Sequence, residues 1–187
     1  MDFRKAERGD LAAAALIYES FPEYYDLIPL SRPELLALIA DHIGVENSEL
    51  SRTVVAVDGS EVVGVYAEQD SNSLKACELI CYHRISKALS PESRPRFRER
   101  LEAFRKAVPP VPKDSCHLTR FAVAKDRRGT GLATELLQHY ADTPTARHYM
   151  TLSLHVRADN ERAIRFYRKC NFVPLAQTDR YVSMVVQ

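Results

Sequence analysis

The sequence predicts a mixed α/β fold, in which strands and helices alternate along the chain. Residues 117–123 form a mostly apolar run that is typical of a buried strand. Residues 132–140 carry apolar side chains at helical spacing and therefore predict a helix with one apolar face. Residues 151–156 alternate between apolar and polar side chains, as a half-buried strand does. Because the connections are short, we expect these two strands to lie parallel and adjacent in one sheet.

The N-terminal part predicts one strand followed by two helices. Residues 3–6 are the predicted strand, and Asp10 can cap the alanine-rich helix that follows it. Ser31 and Glu34 have the spacing of a capping box and begin the second helix. A proline between them is tolerated, because the N–H groups in the first turn of a helix have no hydrogen-bond acceptor within the helix.

A hairpin and a long insertion are predicted next. Residues 53–57 and 62–68 are rich in β-branched side chains, and an Asp-Gly-Ser turn joins them. Residues 70–114 then separate this hairpin from the next strand. Apolar residues over 74–85 have helical spacing, although 77–82 also fits a strand. A second helix over 90–106 ends before three prolines, so the insertion is expected to be helical.

The end of the chain predicts a helix over 160–169, which Asp159 can cap, and a last strand over 180–186. The length of 187 residues favours a single domain over 1–187 with a sizeable core.

Composition excludes several classes of function. The net charge is only +1, so the arginines between 94 and 100 are expected to be a solvated surface and no nucleic-acid partner is expected. No apolar run reaches the roughly 20 residues that span a bilayer, and no signal peptide is seen, so we expect a cytoplasmic protein without a membrane partner. Cys77, Cys81 and His83 match no common zinc pattern, so no metal is expected.

Gly129-Thr130-Gly131 stands where the helix over 132–140 begins. Glycine lets the backbone approach an anion closely, and the first turn of a helix offers unpaired N–H groups. Arg127 and Arg128 add positive charge there, which favours a phosphate or pyrophosphate ligand. The glycines alone fit equally well a loop that merely needs unusual backbone angles. The GxGxxG and P-loop patterns are absent, so dinucleotide and nucleoside-triphosphate binding are not supported.

Two motifs resemble those of one enzyme family. Residues 128–133 read R-G-T-G-L-A and fit [RQ]-x-x-G-x-[GA], so this loop resembles the acetyl-CoA loop of the GCN5-related N-acetyltransferases (GNAT). Residues 160–172 follow the family pattern N-x-x-A-x-x-[FL]-Y-x-x-x-G-F, except that Asn171 replaces the usual glycine. Asparagine tolerates the left-handed conformation, so this departure is mild.

The resemblance implies a specific version of the α/β fold. Its central sheet is mostly antiparallel, with a splayed parallel pair of strands at 117–123 and 151–156, flanked by helices. The pantetheine arm of acetyl-CoA is expected in the gap between these strands, and the insertion at about 70–114 is hypothesised to cover the substrate cleft. The resemblance assigns the co-substrate acetyl-CoA to Phe121, Ala122, Val123, Arg128, Gly129, Thr130, Gly131, Leu132, Ala133 and Asn160.

The implied reaction is the transfer of an acetyl group to a primary amine, by direct attack in a ternary complex. Tyr167 is the candidate acid for the leaving thiolate, although it also fits a packing aromatic. His117 is the candidate base, with a surface or hydrogen-bonded histidine as the alternative. Glu68, acting through water, is the fallback base.

The acceptor is expected near the break between the first two helices. Glu23, Tyr24 and Tyr25 combine a carboxylate with aromatic rings, which suits an ammonium group, although packing and solvation explain them as well. The acceptor is a small-molecule or peptide amine, and a homodimer is possible. The alternative function is a non-catalytic CoA-binding sensor or a protein-interaction module on the same fold.

Overall fold

The computed structural model describes residues 1–187 and contains one seven-stranded sheet. Its strands are β1 (Asp2–Lys5), β2 (Thr53–Asp58), β3 (Glu61–Asp70), β4 (Ser115–Val123), β5 (Thr151–Arg157), β6 (Val173–Gln177) and β7 (Tyr181–Val186). Its helices are α1 (Leu11–Ser20), α2 (Pro22–Tyr25), α3 (Arg32–His42), α4 (Ser71–Ala88), α5 (Ser93–Ala107), α6 (Leu132–Ala141), α7 (Pro144–His148) and α8 (Glu161–Lys169). None of these helices is both long and apolar enough to cross a membrane.

The strand order is β1-β2-β3-β4-β5-β7-β6, and every neighbouring pair is antiparallel except β4 and β5. These two parallel strands pair only over Ser115 to Leu118 and Thr151 to Leu154. Beyond this point they diverge, so the rest of β4 has no partner on that side. The predicted mixed fold with a splayed parallel pair is therefore confirmed.

A β-bulge in β4 determines which side chains share a face of the sheet. Ala67 pairs with Arg120 but Glu68 pairs with Leu118, so Thr119 is an extra residue in β4. The extra residue inverts the alternation of side chains along the strand. As a result, Leu118 and Phe121 pack together in the core beneath α6 and α8.

Helices cover both faces of the sheet, and two of the three predicted caps are observed. The prediction that Asp159 caps α8 is wrong, because Asn160 Oδ1 accepts from Ala163 N at 3.1 Å and Asp159 pairs with Arg157 instead. Asp10 accepts a hydrogen bond from Ala13 N at 2.9 Å at the start of α1. Glu34 accepts one from Ser31 N at 2.9 Å at the start of α3. The apolar faces of α1 and α3 pack with α4 and α5 in one core, and α6 and α8 pack in the other.

The insertion between β3 and β4 consists of the two helices α4 and α5. The strand alternative for 77–82 is wrong, because Cys77, Cys81 and Ile85 are buried at helical spacing on one face of α4. The sequence did not predict β6, which is a short edge strand containing a proline and mostly exposed side chains. Such a strand lacks the alternation of apolar and polar residues from which a strand is predicted.

Candidate active site

A cleft of about 1260 Å³ opens where β4 and β5 diverge. Its walls at one end include Gly129, Gly131 and Asn160. The other end is lined by aromatic rings, among them Tyr24 of α2 and Phe104 of α5. The cleft therefore connects the glycine loop to an aromatic chamber on the far side of the sheet.

The glycine loop presents a row of unpaired donors. Gly129 and Gly131 have φ angles of +85° and +98°, and a Cβ added to either would meet no atom within 4 Å. The five consecutive backbone N–H groups from Gly129 to Ala133 donate no hydrogen bond within the protein. They stand at the positive end of α6, so the loop is suited to bind an anion such as a pyrophosphate.

Only one of the two loop arginines reaches the cleft. Arg128 lines it and donates from Nε to the carbonyl oxygen of Val123 at 3.2 Å. Arg127 instead forms ion pairs with Asp58 at 3.0 Å and Glu61 at 3.6 Å in the β2–β3 hairpin. Arg127 therefore lies outside the cleft, and its positive charge is directed at the hairpin carboxylates.

Two other loop residues, Thr130 and Leu132, do not line the cleft. The Thr130 hydroxyl donates to the Arg127 carbonyl at 2.7 Å. Leu132 is buried in the core beneath α6. The N–H groups of both residues remain among the unpaired donors.

The diverging part of β4 exposes strand backbone to the cleft. Phe121, Ala122 and Val123 line it, and none of them pairs with β5. Alternate N–H and C=O groups of such a half-paired strand point into the gap. Asn160 lies opposite, where its Oδ1 caps α8 by accepting from Ala163 N at 3.1 Å.

Tyr167 lies in the wall of the cleft near Phe121. It is only 7% exposed, and its ring packs against Phe121, Phe166 and Phe172. Its hydroxyl makes no hydrogen bond within the protein. Burial raises the pKa of Tyr167, so the hydroxyl keeps its proton at physiological pH.

His117 lines the same cleft from the paired part of β4. Its Nδ1 lies 2.9 Å from the Ser153 hydroxyl, and its ring centroid lies 4.8 Å from that of His155. Burial, followed by the charges of His155 and Arg120, holds the pKa of His117 well below its usual value. The imidazole is therefore neutral at physiological pH, and one of its ring nitrogens carries a lone pair.

The structure does not bring Glu68 to the cleft. Its Oε2 accepts from the Thr143 hydroxyl at 2.8 Å and lies 3.6 Å from Cys116 Sγ. It is paired with Leu118 in the sheet, so it projects on the face opposite to His117. Burial raises the pKa of this carboxyl group.

The three predicted acceptor residues have different positions. Glu23 and Tyr24 line the cleft, and Glu23 Oε1 accepts from the Tyr181 hydroxyl at 3.3 Å. Tyr25 is buried, and its hydroxyl accepts from Nε of Arg120 at 3.0 Å. Burial raises the pKa of Tyr25 to about 12. Tyr25 therefore supports Arg120 rather than facing the cleft itself.

Arg120 is a cleft residue that no motif in the sequence indicated. Its guanidinium forms a buried ion pair with Glu49 at 3.0 Å and lies 5.3 Å from the Tyr24 ring centre. The sequence does place a single arginine within a mostly apolar strand. If that strand is buried, the arginine requires a buried partner of opposite charge. Glu49 lies in a distant loop, so its role as that partner could not be read from the sequence.

The insertion supplies part of the cleft wall. Phe104 of α5 and Pro110, which follows it, both line the cleft. Phe104 packs edge-on against Phe21 and Tyr181, with ring centroids 5.5 and 5.9 Å apart. No group of three or more His, Cys, Asp or Glu side chains has an arrangement that could hold a metal ion.

Comparison with known proteins identifies the family. The chain matches the model of the acetyltransferase (GNAT) family over residues 14–172, which is most of its length. It therefore belongs to the GNAT acetyltransferase family. No functionally curated protein is significantly similar to it in sequence.

Several solved structures share the fold at low sequence identity. An N-acetyltransferase from Staphylococcus aureus Mu50 has a TM-score of 0.72 and 19% identity, with 100% of both chains covered. The PaiA N-acetyltransferase from Thermoplasma acidophilum, in complex with coenzyme A, has a TM-score of 0.58 and 13% identity over 100% of this chain and 98% of that one. The ribosomal-protein-S18-alanine N-acetyltransferase from Escherichia coli has a TM-score of 0.56 and 17% identity, with 99% of this chain and 92% of that chain covered.

Proposed function

We propose that the protein transfers an acetyl group from acetyl-CoA to a primary amine, with both substrates bound at once. The observation that carries this proposal is the cleft itself. It begins at five unpaired N–H groups, passes the open backbone of β4, and contains both Tyr167 and His117. Membership of the acetyltransferase family supports the chemistry.

The residues at the glycine loop fit the phosphates of acetyl-CoA. The unpaired N–H groups of 129–133 supply donors, Arg128 supplies charge, and the space above Gly129 and Gly131 is open. The exposed backbone of Phe121, Ala122 and Val123 matches the amides of a pantetheine arm. The free amide nitrogen of Asn160 is a further donor on the opposite wall.

Acetyl-CoA, when bound, supplies an acetyl group activated as a thioester. The Tyr167 hydroxyl gives its proton to the sulfur as the C–S bond breaks and the sulfur takes the electron pair. His117 accepts a proton from the amine nitrogen at Nε2, because that proton becomes acidic once the C–N bond forms. Solvent then returns the imidazolium and the phenolate to their starting forms.

The cysteines support direct attack rather than an acyl-enzyme. No cysteine lines the cleft, and Cys116, the nearest in sequence to His117, is fully buried. Burial raises the pKa of Cys116 to about 12, so its thiolate is scarce at neutral pH. Glu68 has no part in the proposed mechanism, since it lies across the sheet.

The aromatic chamber suits the acceptor. Glu23 places a carboxylate beside Tyr24, and Arg120, held by Tyr25, completes the wall. This combination favours a small-molecule or peptide amine that carries an apolar group next to its ammonium. The predicted homodimer and cytoplasmic location stay predictions.

Thermal unfolding with and without acetyl-CoA tests the co-substrate. Saturation at about 100 times Kd adds roughly 2.7 kcal/mol, which for a domain of this size raises Tm by about 5 to 11 °C. Gly131→Glu should abolish this shift, because the carboxylate would occupy the anion site. Gly9→Glu is the matched control, since Gly9 has a φ of +91° and the same open surroundings but does not line the cleft. A shift that persists in Gly131→Glu, or is absent from the wild type, would contradict the proposal.

Steady-state kinetics tests the reaction. Thiol release from acetyl-CoA is measured with a panel of small-molecule and peptide amines, and intersecting initial-rate lines are expected for a ternary complex. Parallel lines would indicate an acyl-enzyme instead. Binding of acetyl-CoA without thiol release for any amine would favour the CoA-binding sensor.

A further inference from the structure

A chain of buried hydroxyl groups leads away from His117 inside the parallel strand pair. Ser115 and Ser153 are fully buried, and His117 is 4% exposed. His117 Nδ1 lies 2.9 Å from Ser153 Oγ, and Ser153 Oγ lies 3.0 Å from Ser115 Oγ. The chain ends where Ser115 Oγ donates to the carbonyl oxygen of Pro112 at 2.7 Å. The strand register produces this contact, because His117 and Ser153 are direct partners in the sheet.

The terminal carbonyl fixes the direction of every hydrogen bond in the chain. A carbonyl oxygen can only accept, so the single proton of Ser115 is used on Pro112. Ser153 must then donate to Ser115, because the reverse arrangement would bring two lone pairs together at 3.0 Å. The Ser153 oxygen is left to accept from His117, so the histidine proton lies on Nδ1 and Nε2 carries a lone pair.

We propose that Ser153 and Ser115 are positioning residues that hold His117 in the tautomer with a free Nε2 acceptor. This inference rests on the proposed function, in which Nε2 takes the proton of the amine. The Nε2 atom has no partner in the protein yet still reaches solvent, whereas Nε2 of His155 is sealed and unpartnered. When Nδ1 of a neutral histidine donates a hydrogen bond, the lone pair lies on Nε2, where a general base can accept a proton.

The insertion has a part in this arrangement. Pro112 lies in the proline segment that closes the insertion, so the segment supplies the acceptor that sets the direction of the chain. His155 of β5 packs against the His117 ring at 4.8 Å and restricts its rotation. The charged and titratable neighbours of His117 are His155 and Arg120, and both disfavour a second proton on the ring.

Nitrogen-15 NMR of the full chain, labelled at histidine, reads the tautomer without requiring activity. The signal of His117, assigned by its loss in His117→Gln, is expected to show a protonated Nδ1 and an unprotonated Nε2 near pH 7. A protonated Nε2, or a doubly protonated ring, would overturn the proposal. Ser153→Ala should convert the single tautomer into a mixture.

A neighbouring serine provides the matched control. Ser183 of β7 is equally buried, but its hydroxyl has no hydrogen-bond partner. Ser183→Ala therefore removes the same atom without touching the chain, and it should leave the His117 signal unchanged. If Ser183→Ala also alters the tautomer, or Ser153→Ala does not, the positioning role is excluded.

Kinetics then separates this inference from the proposed function. With the best amine from the panel, Ser153→Ala should lower kcat about ten-fold and leave KM for acetyl-CoA unchanged. Ser183→Ala should retain wild-type kcat. An absence of thiol release in the wild type would refute the function but leave the tautomer result standing, whereas wild-type kcat in Ser153→Ala would refute the positioning role alone.

Discussion

The Tyr167 hydroxyl is placed in a way that packing alone does not explain. Its ring is surrounded by Phe121, Phe166 and Phe172, and a phenylalanine would fill that site equally well. The oxygen is not sealed inside the protein, because it reaches the cleft. In the proposed mechanism, this hydroxyl donates its proton to the leaving sulfur.

Tyr167→Phe should separate catalysis from stability. We expect kcat to fall about 100-fold, because the leaving sulfur loses its proton donor, while KM for acetyl-CoA and Tm stay near wild type. Tyr140→Phe is the control, since that hydroxyl donates to the Cys116 carbonyl at 2.8 Å outside the cleft. It should cost about 1 kcal/mol of stability and leave kcat intact. Full activity in Tyr167→Phe would remove Tyr167 from the mechanism.

At the scale of elements, the cleft results from two features that act together. The divergence of β4 and β5 opens a gap in the middle of the sheet. Helix α5 of the insertion then closes one side of that gap with Phe104. The sheet thus forms the end of the cleft at the glycine loop, and the insertion lines the aromatic chamber at the other end.

Substitution of two phenylalanines of α5 tests whether the insertion shapes the aromatic chamber of the cleft. Phe104→Leu should raise KM for the acceptor about three- to ten-fold and leave the Kd of acetyl-CoA unchanged, since the ring faces the aromatic chamber. Phe97 lies on the same helix but stacks on Tyr82 in the core, at a centroid distance of 5.9 Å. Phe97→Leu should cost about 1 to 2 kcal/mol of stability without changing KM for the acceptor. Equal effects of both changes on that KM would indicate that α5 acts only through stability.

At the scale of the whole molecule, buried histidines couple stability to pH. Burial, with Arg84 nearby, lowers the pKa of His42 to about 4, and burial lowers that of His155 to about 4. Between about pH 6.5 and about pH 4, the unfolded chain binds protons at these residues that the folded protein does not bind. Each of them therefore makes the free energy of unfolding decrease as the pH falls through this window.

His42→Gln isolates one of these contributions. His42 does not line the cleft, so its replacement can be followed by urea unfolding without changing the site. We expect the loss of stability between about pH 7 and about pH 4 to be smaller in the variant by about 2 kcal/mol. Burial raises the pKa values of Glu68 and Glu78, so these residues make the free energy of unfolding increase as the pH falls. Because both residues are present in the wild type and in His42→Gln, their contributions cancel when the two proteins are compared. An unchanged pH slope would show that His42 is protonated equally in both states.

The sequence by itself determined the features that depend on neighbours along the chain. The glycines at 129 and 131, the caps at Asp10 and Glu34, and the helical spacing of α6 are local patterns, and the structure has them where predicted. A loop whose φ angles must be positive needs glycine whatever the rest of the chain does. The family motifs could therefore be recognised before any contact was known.

Only the tertiary structure decided which of the candidate side chains share the cleft. One extra residue at Thr119 sets the faces of β4 and separates Glu68 from His117. Pairing across the sheet joins His117 to Ser153, which is far away in the sequence. Strand register and bulges depend on the packing of distant segments, so no local pattern could have given these contacts.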